Sequence, residues 1–329
     1  MIDAVPFWVI VIVKSAIVLL VTITTFAYSM LFERKIMGWM QLRPGPNRTG
    51  PWGMMQPAAD AVKMMFKEDL TPETADPLIY KLAPFISLIT AMGTFAVIPF
   101  SETSGGLWSV SDVNAGVLFV FALTSIGVYG ISLGGWASGS KFPLLGSVRA
   151  TAQMISYELS MSMAVIGVLI LAGTTSFAGI VHAQTHLWFI VPQIIGFAIY
   201  IVTAVAETNR APFDLVEADA ELVGGFNTEY SGLRFGLFFI AEYLNMITVS
   251  CLATLLFLGG WAAPFGLTFV PGIVWFVLKV FGFLFFYIWL RTTLPRIRYD
   301  RLMAFGWKVL LPVATLNLVL TAAWIAVFG

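Results

Sequence analysis

The run Phe235-Gly-Leu-Phe-Phe-Ile-Ala-Glu-Tyr-Leu-Asn-Met-Ile-Thr-Val-Ser-Cys-Leu-Ala-Thr-Leu-Leu-Phe-Leu258 decides what kind of chain this is. A hydrocarbon core about 30 Å thick is crossed by about 20 apolar residues in a helix. This run supplies them with one charge, Glu242, and without the ten-residue alternation of a barrel strand. Seven more stretches qualify, at 7–31, 79–100, 114–137, 153–173, 187–207, 269–290 and 305–328. Polar residues shorten the apolar part of the stretches at 153–173 and 187–207. The reading is an all-α polytopic membrane protein with eight transmembrane helices, a single integral membrane domain over residues 1–329.

Composition agrees. The 329 residues are 59% hydrophobic and 11% charged, where a soluble surface needs roughly 25% charged residues. The 18 Lys and Arg balance the 18 Asp and Glu, which leaves no basic excess for nucleic acid. The single cysteine, Cys251, lies inside the quoted run, so this chain has no disulfide framework and cannot ligate an iron–sulfur cluster or zinc through cysteines. Any such cofactor belongs to a partner. The N-terminal stretch runs on to Met30 without a small-residue cleavage site and reads as a retained helix.

The connections set a topology. Sixteen of the Lys and Arg residues fall in or beside the first, third, fifth and seventh connections and none in the others, while Lys14 and Lys279 lie within spans. Basic residues mark the cytoplasmic side, which puts both termini outside and discounts Asn47-Arg48-Thr49 as a glycosylation site. The first connection, 32–78, opens with Pro44, Gly45, Pro46, Gly50 and Pro51. It continues with Met54, Met55, Ala58, Val62, Met65 and Phe66 at helical spacing. That pattern predicts an amphipathic helix at the interface.

Ionisable residues inside spans are candidates for function, because a charge at the bilayer centre costs at least roughly 2.5 to 3.5 kcal/mol. They are Glu242 with Asn245 on the same face, Glu158 with Ser162 one turn on, Glu207 at the end of a span, and Lys279. Lys279 and Lys14 read equally as paired structural lysines. The fifth connection holds Arg210, Asp214, Glu217, Asp219 and Glu221. On a helix after Pro212, Asp214, Glu217 and Glu221 share one face and Asp219 turns away. Clustered carboxylates hold protons jointly, although an ordinary solvated acidic loop fits the same residues. His182 and His186 have a metal-binding spacing with nothing else to support a metal. No GxGxxG, GxxxxGK[ST] or HExxH motif is present.

Several motifs resemble one family. They are Glu33-Arg-Lys35, Gln41-Leu-Arg-Pro-Gly-Pro-Asn47, Gly53-Met-Met-Gln-Pro-Ala-Ala-Asp-Ala-Val-Lys63, Ser156-Tyr-Glu158, Ala206-Glu-Thr-Asn-Arg-Ala-Pro-Phe-Asp214, Phe226-Asn-Thr-Glu-Tyr-Ser-Gly232, Phe238-Phe-Ile-Ala-Glu-Tyr243 and Arg291-Thr-Thr-Leu-Pro-Arg-Ile-Arg-Tyr-Asp300. They are similar, in register over the whole chain, to the membrane subunit of respiratory complex I beneath its peripheral arm (the H subunit in bacteria, NADH dehydrogenase subunit one in mitochondria). The resemblance implies a NADH:quinone oxidoreductase subunit in the bacterial plasma membrane that walls a quinone chamber and couples quinone reduction to proton translocation. It implies Glu33, Arg34, Arg43, Asp60 and Phe226 at the chamber entrance. It implies a proton relay of Glu158, Glu207, Asp214, Glu217, Asp219, Glu221, Glu229 and Glu242, with Arg210 as charge partner. Quinone is then the substrate, and FMN and iron–sulfur clusters are expected only in the peripheral-arm partners. Small membrane subunits and antiporter-like pump subunits are the other implied partners.

Two positions depart from the family pattern: Asp219 stands where a Glu is usual, and Ser125 stands where some members carry an acid. The membrane anchor of energy-converting hydrogenases resembles the chain less. A stand-alone secondary transporter, the rival of a different class, predicts internal pseudo-symmetry, and no repeat is apparent. The topology is checked with single cysteines in the first, fifth and seventh connections of a chain lacking Cys251. They should react with an impermeant maleimide from the cytoplasmic side alone, and labelling of the fifth connection from outside overturns the assignment.

Overall fold

In the computed structural model, residues 6–103, 106–214, 224–264 and 269–328 are described. The first apolar stretch does not stop at the membrane boundary. Helix α1 spans Phe7–Met40, about 51 Å at 1.5 Å per residue, so it outruns a 30 Å core by several turns and carries Glu33 and Arg34 past the predicted end of the span. Helix α2, Gln56–Phe66, follows a tight turn at Pro51–Gly53, with Pro57 in its first turn. It lies where the Met and Val periodicity predicts, and no residue of it is buried.

Helix α3, Pro77–Thr94, starts on the Asp76 carboxylate, which accepts from the Leu78 and Ile79 amides. This is the usual way of satisfying free N–H groups at a helix start. Helix α4, Gly116–Ala137, packs hard against α3. A Cβ at Gly130 would come 2.0 Å from Ser87 Oγ, so only glycine permits the approach. A short hairpin, Glu102–Thr103 with Gly106–Leu107, lies between α3 and α4.

Helix α5, Lys141–Ala172, begins a dozen residues before the predicted span and ends at Gly173, whose φ of 66° lets the chain leave the helix. Helix α6 is Phe177–Ala183. The predicted span 187–207 is only partly helical: Pro192 and Gln193 delay the start, and α7 covers Ile194–Glu207. Its 14 residues reach about 21 Å, short of a full crossing.

Helix α8, Gly232–Phe257, is the quoted run and the most buried long helix. Helix α9 is Gly272–Thr293. Helix α10, Tyr299–Phe305, continues through a π turn at Gly306–Leu310 into α11, Leu311–Phe328. Among the described residues seven helices are long and apolar enough to cross a membrane, and α7 is the shorter eighth apolar helix. The core is built around α8, with Tyr157, Tyr200, Leu252 and Tyr287 packed into it from α5, α7, α8 and α9.

Two of the intramembrane polar residues are structural. Lys279 Nζ donates to the carbonyls of Leu258, Gly260 and Ala262 at 2.7 to 2.8 Å and sits 4.6 Å from the Trp188 ring. It therefore satisfies the carbonyls exposed where α8 ends. Lys14 donates to the Ser109 carbonyl at 3.3 Å. His182 pairs with Glu102 at 3.2 Å.

Candidate functional site: a buried arginine and a polar cavity

The site begins at the end of α7. Thr208 Oγ1 donates a hydrogen bond back to the Ala204 carbonyl at 3.1 Å, and Asn209 takes a left-handed φ of 50° that reverses the chain. Asn is among the few residues other than Gly that adopt this conformation readily. The reversal sends Arg210 back towards the bundle. Gln153 of α5 holds the segment down, its Nε2 donating to Ala206 O at 2.8 Å and Phe213 O at 3.0 Å.

Arg210 is 5% exposed and Glu33 only 1%. Arg210 Nη1 donates to Glu33 Oε1 at 3.1 Å, its Nε lies 2.8 Å from Glu242 Oε1, and its guanidinium carbon sits 4.3 Å above the centre of the Tyr243 ring. Arg291, near the end of α9, pairs with the same Glu33 carboxylate. Two cations and two carboxylates thus close a balanced cluster between α1, α8, α9 and the turn after α7. Burial works against the charge on Arg210, yet Glu242 and Glu33 outweigh it and hold the guanidinium protonated beyond its ordinary range.

Next to this cluster is a cavity of about 40 Å³ lined by Ser87, Glu207, Asn209, Asp214, Phe226, Glu242 and Asn245. One water takes roughly 10 to 15 Å³ on this measure, so the space suits about three waters and is far too small for a quinone ring. Ser87 Oγ, Glu207 Oε2 and Asn209 Oδ1 have no hydrogen-bond partner among the described residues. A polar cavity whose walls carry unsatisfied acceptors and donors is the kind that holds ordered water. Asp214 is 4% exposed, with Arg296 at 3.5 Å.

The structure therefore gathers Glu207, Asp214, Glu242 and Arg210 in one place, and it adds two residues that the resemblance implies at the chamber entrance, Glu33 and Phe226. Glu158 receives a hydrogen bond from Ser125 and lies close enough to Glu207 for their charges to interact. Glu229 stands apart, in the neighbourhood of Tyr80, whose hydroxyl donates to the Glu229 carbonyl at 2.7 Å. Arg34 and Asp60 form an ion pair at 2.7 Å that ties α1 to α2, with Gln56 donating to the same carboxylate at 3.0 Å. Arg43 is exposed and donates to Gln41 at 2.7 Å. Glu217, Asp219 and Glu221 lie outside the described residues. Sequence reasoning did not single out Arg291, Tyr243 or Gln153. Charge balance was the available signal for Arg291, since two buried carboxylates cannot be neutralised by one arginine.

The NADH dehydrogenase family model matches residues 13–322. The chain belongs to the H-subunit family of NADH-quinone oxidoreductase, respiratory complex I. It is 50% identical over 322 residues to a NADH-quinone oxidoreductase H subunit of Symbiobacterium thermophilum, a match covering 98% of both chains. It is 53% identical over 329 residues to the H subunit of Deinococcus deserti, covering 97% of this chain and 84% of that one. With the H subunit of Syntrophotalea carbinolica it shares 51% over 322 residues, 96% of each.

The buried cluster makes a stability prediction. Arg210→Ala leaves Glu242 without this arginine and Glu33 with Arg291 alone. It should destabilise the assembled complex by about 3 to 5 kcal/mol, the usual cost of removing one partner of a buried ion pair. Arg210→Lys should recover part of this, because an ammonium cannot present the guanidinium fork to two carboxylates. Thermal unfolding in detergent measures both, and an unchanged midpoint in Arg210→Ala contradicts the pairing.

Proposed function

We propose that this chain walls the quinone passage of complex I and relays the charge change of quinone reduction into proton movement. In this reading α7, together with the turn at 187–193, completes eight spans, and α2 lies in the interface. The termini face outward, the odd-numbered connections face the cytoplasm of a bacterial cell, and the whole chain acts as one membrane unit. Peripheral-arm subunits carry FMN and the iron–sulfur clusters, and the only cysteine here is buried in the core. Those clusters supply electrons to the quinone.

The observation that carries the proposal is the adjacency of the Glu33–Arg210–Glu242 cluster to the cavity shared by Glu242, Glu207 and Asp214. Glu242 belongs to both. A change of charge on the α1 side alters the balance around Arg210, and so the hold that Arg210 exerts on the Glu242 carboxylate. Waters of the cavity connect that carboxylate to Glu207, and Glu207 acts electrostatically on Glu158. Arg34 and Asp60 position α2 against α1 at the entrance, with Arg43 on its rim. Small membrane subunits and antiporter-like pump subunits receive the proton displacement.

Glu207→Gln tests this, since it keeps size and hydrogen-bonding capacity but removes a titratable group. In proteoliposomes, quinone reduction and membrane-potential formation per assembled complex should fall together by about tenfold or more. Electron transfer from donor to an artificial acceptor should be unaffected. Full pumping by Glu207→Gln contradicts the relay.

A further inference from the structure

Glu158 lies near the middle of α5 and, among the described residues, has no ion pair and one side-chain hydrogen-bond partner, Ser125 of α4. Ser125 Oγ is also 2.9 Å from the Phe121 carbonyl one turn back. A hydroxyl has a single proton, and a carbonyl oxygen only accepts. Both contacts are hydrogen bonds together only when Glu158 is protonated and donates to Ser125 Oγ. An ionised Glu158 only accepts, so the Ser125 proton must then turn towards it.

Nothing is left unsatisfied by that turn. The Phe121 carbonyl also accepts from Thr124 Oγ1 at 3.0 Å and, in the regular ladder of α4, from the Ser125 amide. The exchange needs rotation of one hydroxyl and no movement of either helix. Glu158 interacts electrostatically with Glu207 of α7, on another element. Its negative charge makes a donor on the Ser125 side matter more, because no cation among the described residues pairs with Glu158 to offset the repulsion when both are ionised.

We propose that Ser125 is a positioning residue for Glu158. Its hydroxyl donates to the carboxylate while Glu158 is ionised and to the Phe121 carbonyl while Glu158 is protonated, with Glu158 then donating to Ser125 Oγ. Ser125 keeps its own proton throughout; the proton that moves is the one Glu158 passes on or receives. The inference rests on the relay reading of Glu158, and the experiment separates the two.

In assembled complex, Ser125→Ala removes the donor that the ionised carboxylate uses. A hydrogen bond to a charged group is worth at least a factor of about ten, so potential formation driven by quinone reduction should slow by about tenfold. Ser125→Thr, which keeps the hydroxyl, should restore most of the rate. Redox-induced infrared difference spectra, with Glu158→Gln assigning the band, give a readout that a packing defect does not move. The carbonyl stretch of protonated Glu158 should shift to higher frequency in Ser125→Ala and hold its place in Ser125→Thr. If Ser125→Ala fails to assemble, Ser125→Cys, near in size with a weak donor, should show an intermediate rate and shift. A normal rate and an unmoved band beside an inactive Glu158→Gln complex overturn the role of Ser125 and leave the relay standing. A fully active Glu158→Gln complex overturns the relay reading itself.

Discussion

A guanidinium cannot lose its proton, so burying Arg210 among apolar helices obliges the fold to bring carboxylates to it. Most of the arrangement around the site follows from that demand. Glu33 must come from α1, which is why α1 runs several turns past a bilayer's thickness, and Glu242 must stand on the inward face of α8. Glu33 in turn draws in Arg291 from α9, across 258 positions of sequence. The reversal at Asn209 and the two hydrogen bonds from Gln153 fix the segment that presents the arginine. Tyr243 covers it with a ring face, a further contact for a planar cation.

Because Glu242 also lines the polar cavity, this electrostatic constraint reaches the other acids of that cavity. The same carboxylate that neutralises Arg210 belongs to the walls that hold Glu207, Asp214 and Asn245. A structure whose buried charges are balanced at rest responds to any added charge by redistributing protons among its acids, since these are the groups able to change state. The cavity's small volume favours water over a substrate molecule. Ser125 extends the logic to Glu158, where one hydroxyl serves the acid in either protonation state.

Much of this architecture was legible in the residues. Continuous apolar runs gave the long helices, and the spacing of Met54, Met55, Val62 and Met65 gave α2. The 187–207 stretch reads as one apolar run because hydropathy averages across Pro192 and Gln193, while the helix itself starts only at Ile194. Helices α1 and α5 were underread, since their polar extensions are helical for reasons of packing and pairing that apolar counting does not detect. Glu158, Glu207 and Glu242 were legible as ionisable residues in spans, and Asp214 as part of the acidic fifth connection. The pairing of Glu33 with Arg210 and Arg291 was not, because these are contacts between distant segments and no local pattern encodes them. Glu33 and Phe226, which the resemblance implies at the chamber entrance, sit beside these acids.

The central claim is that Arg210 makes Glu33 and Glu242 parts of one unit. The most direct measurement is a double-mutant cycle on quinone-driven turnover of assembled complex, with Glu33→Gln, Glu242→Gln and the pair. The account predicts a coupling energy of at least about 1 kcal/mol, as expected of residues in one ion-pair network. Additive effects, within about 0.5 kcal/mol, would contradict it.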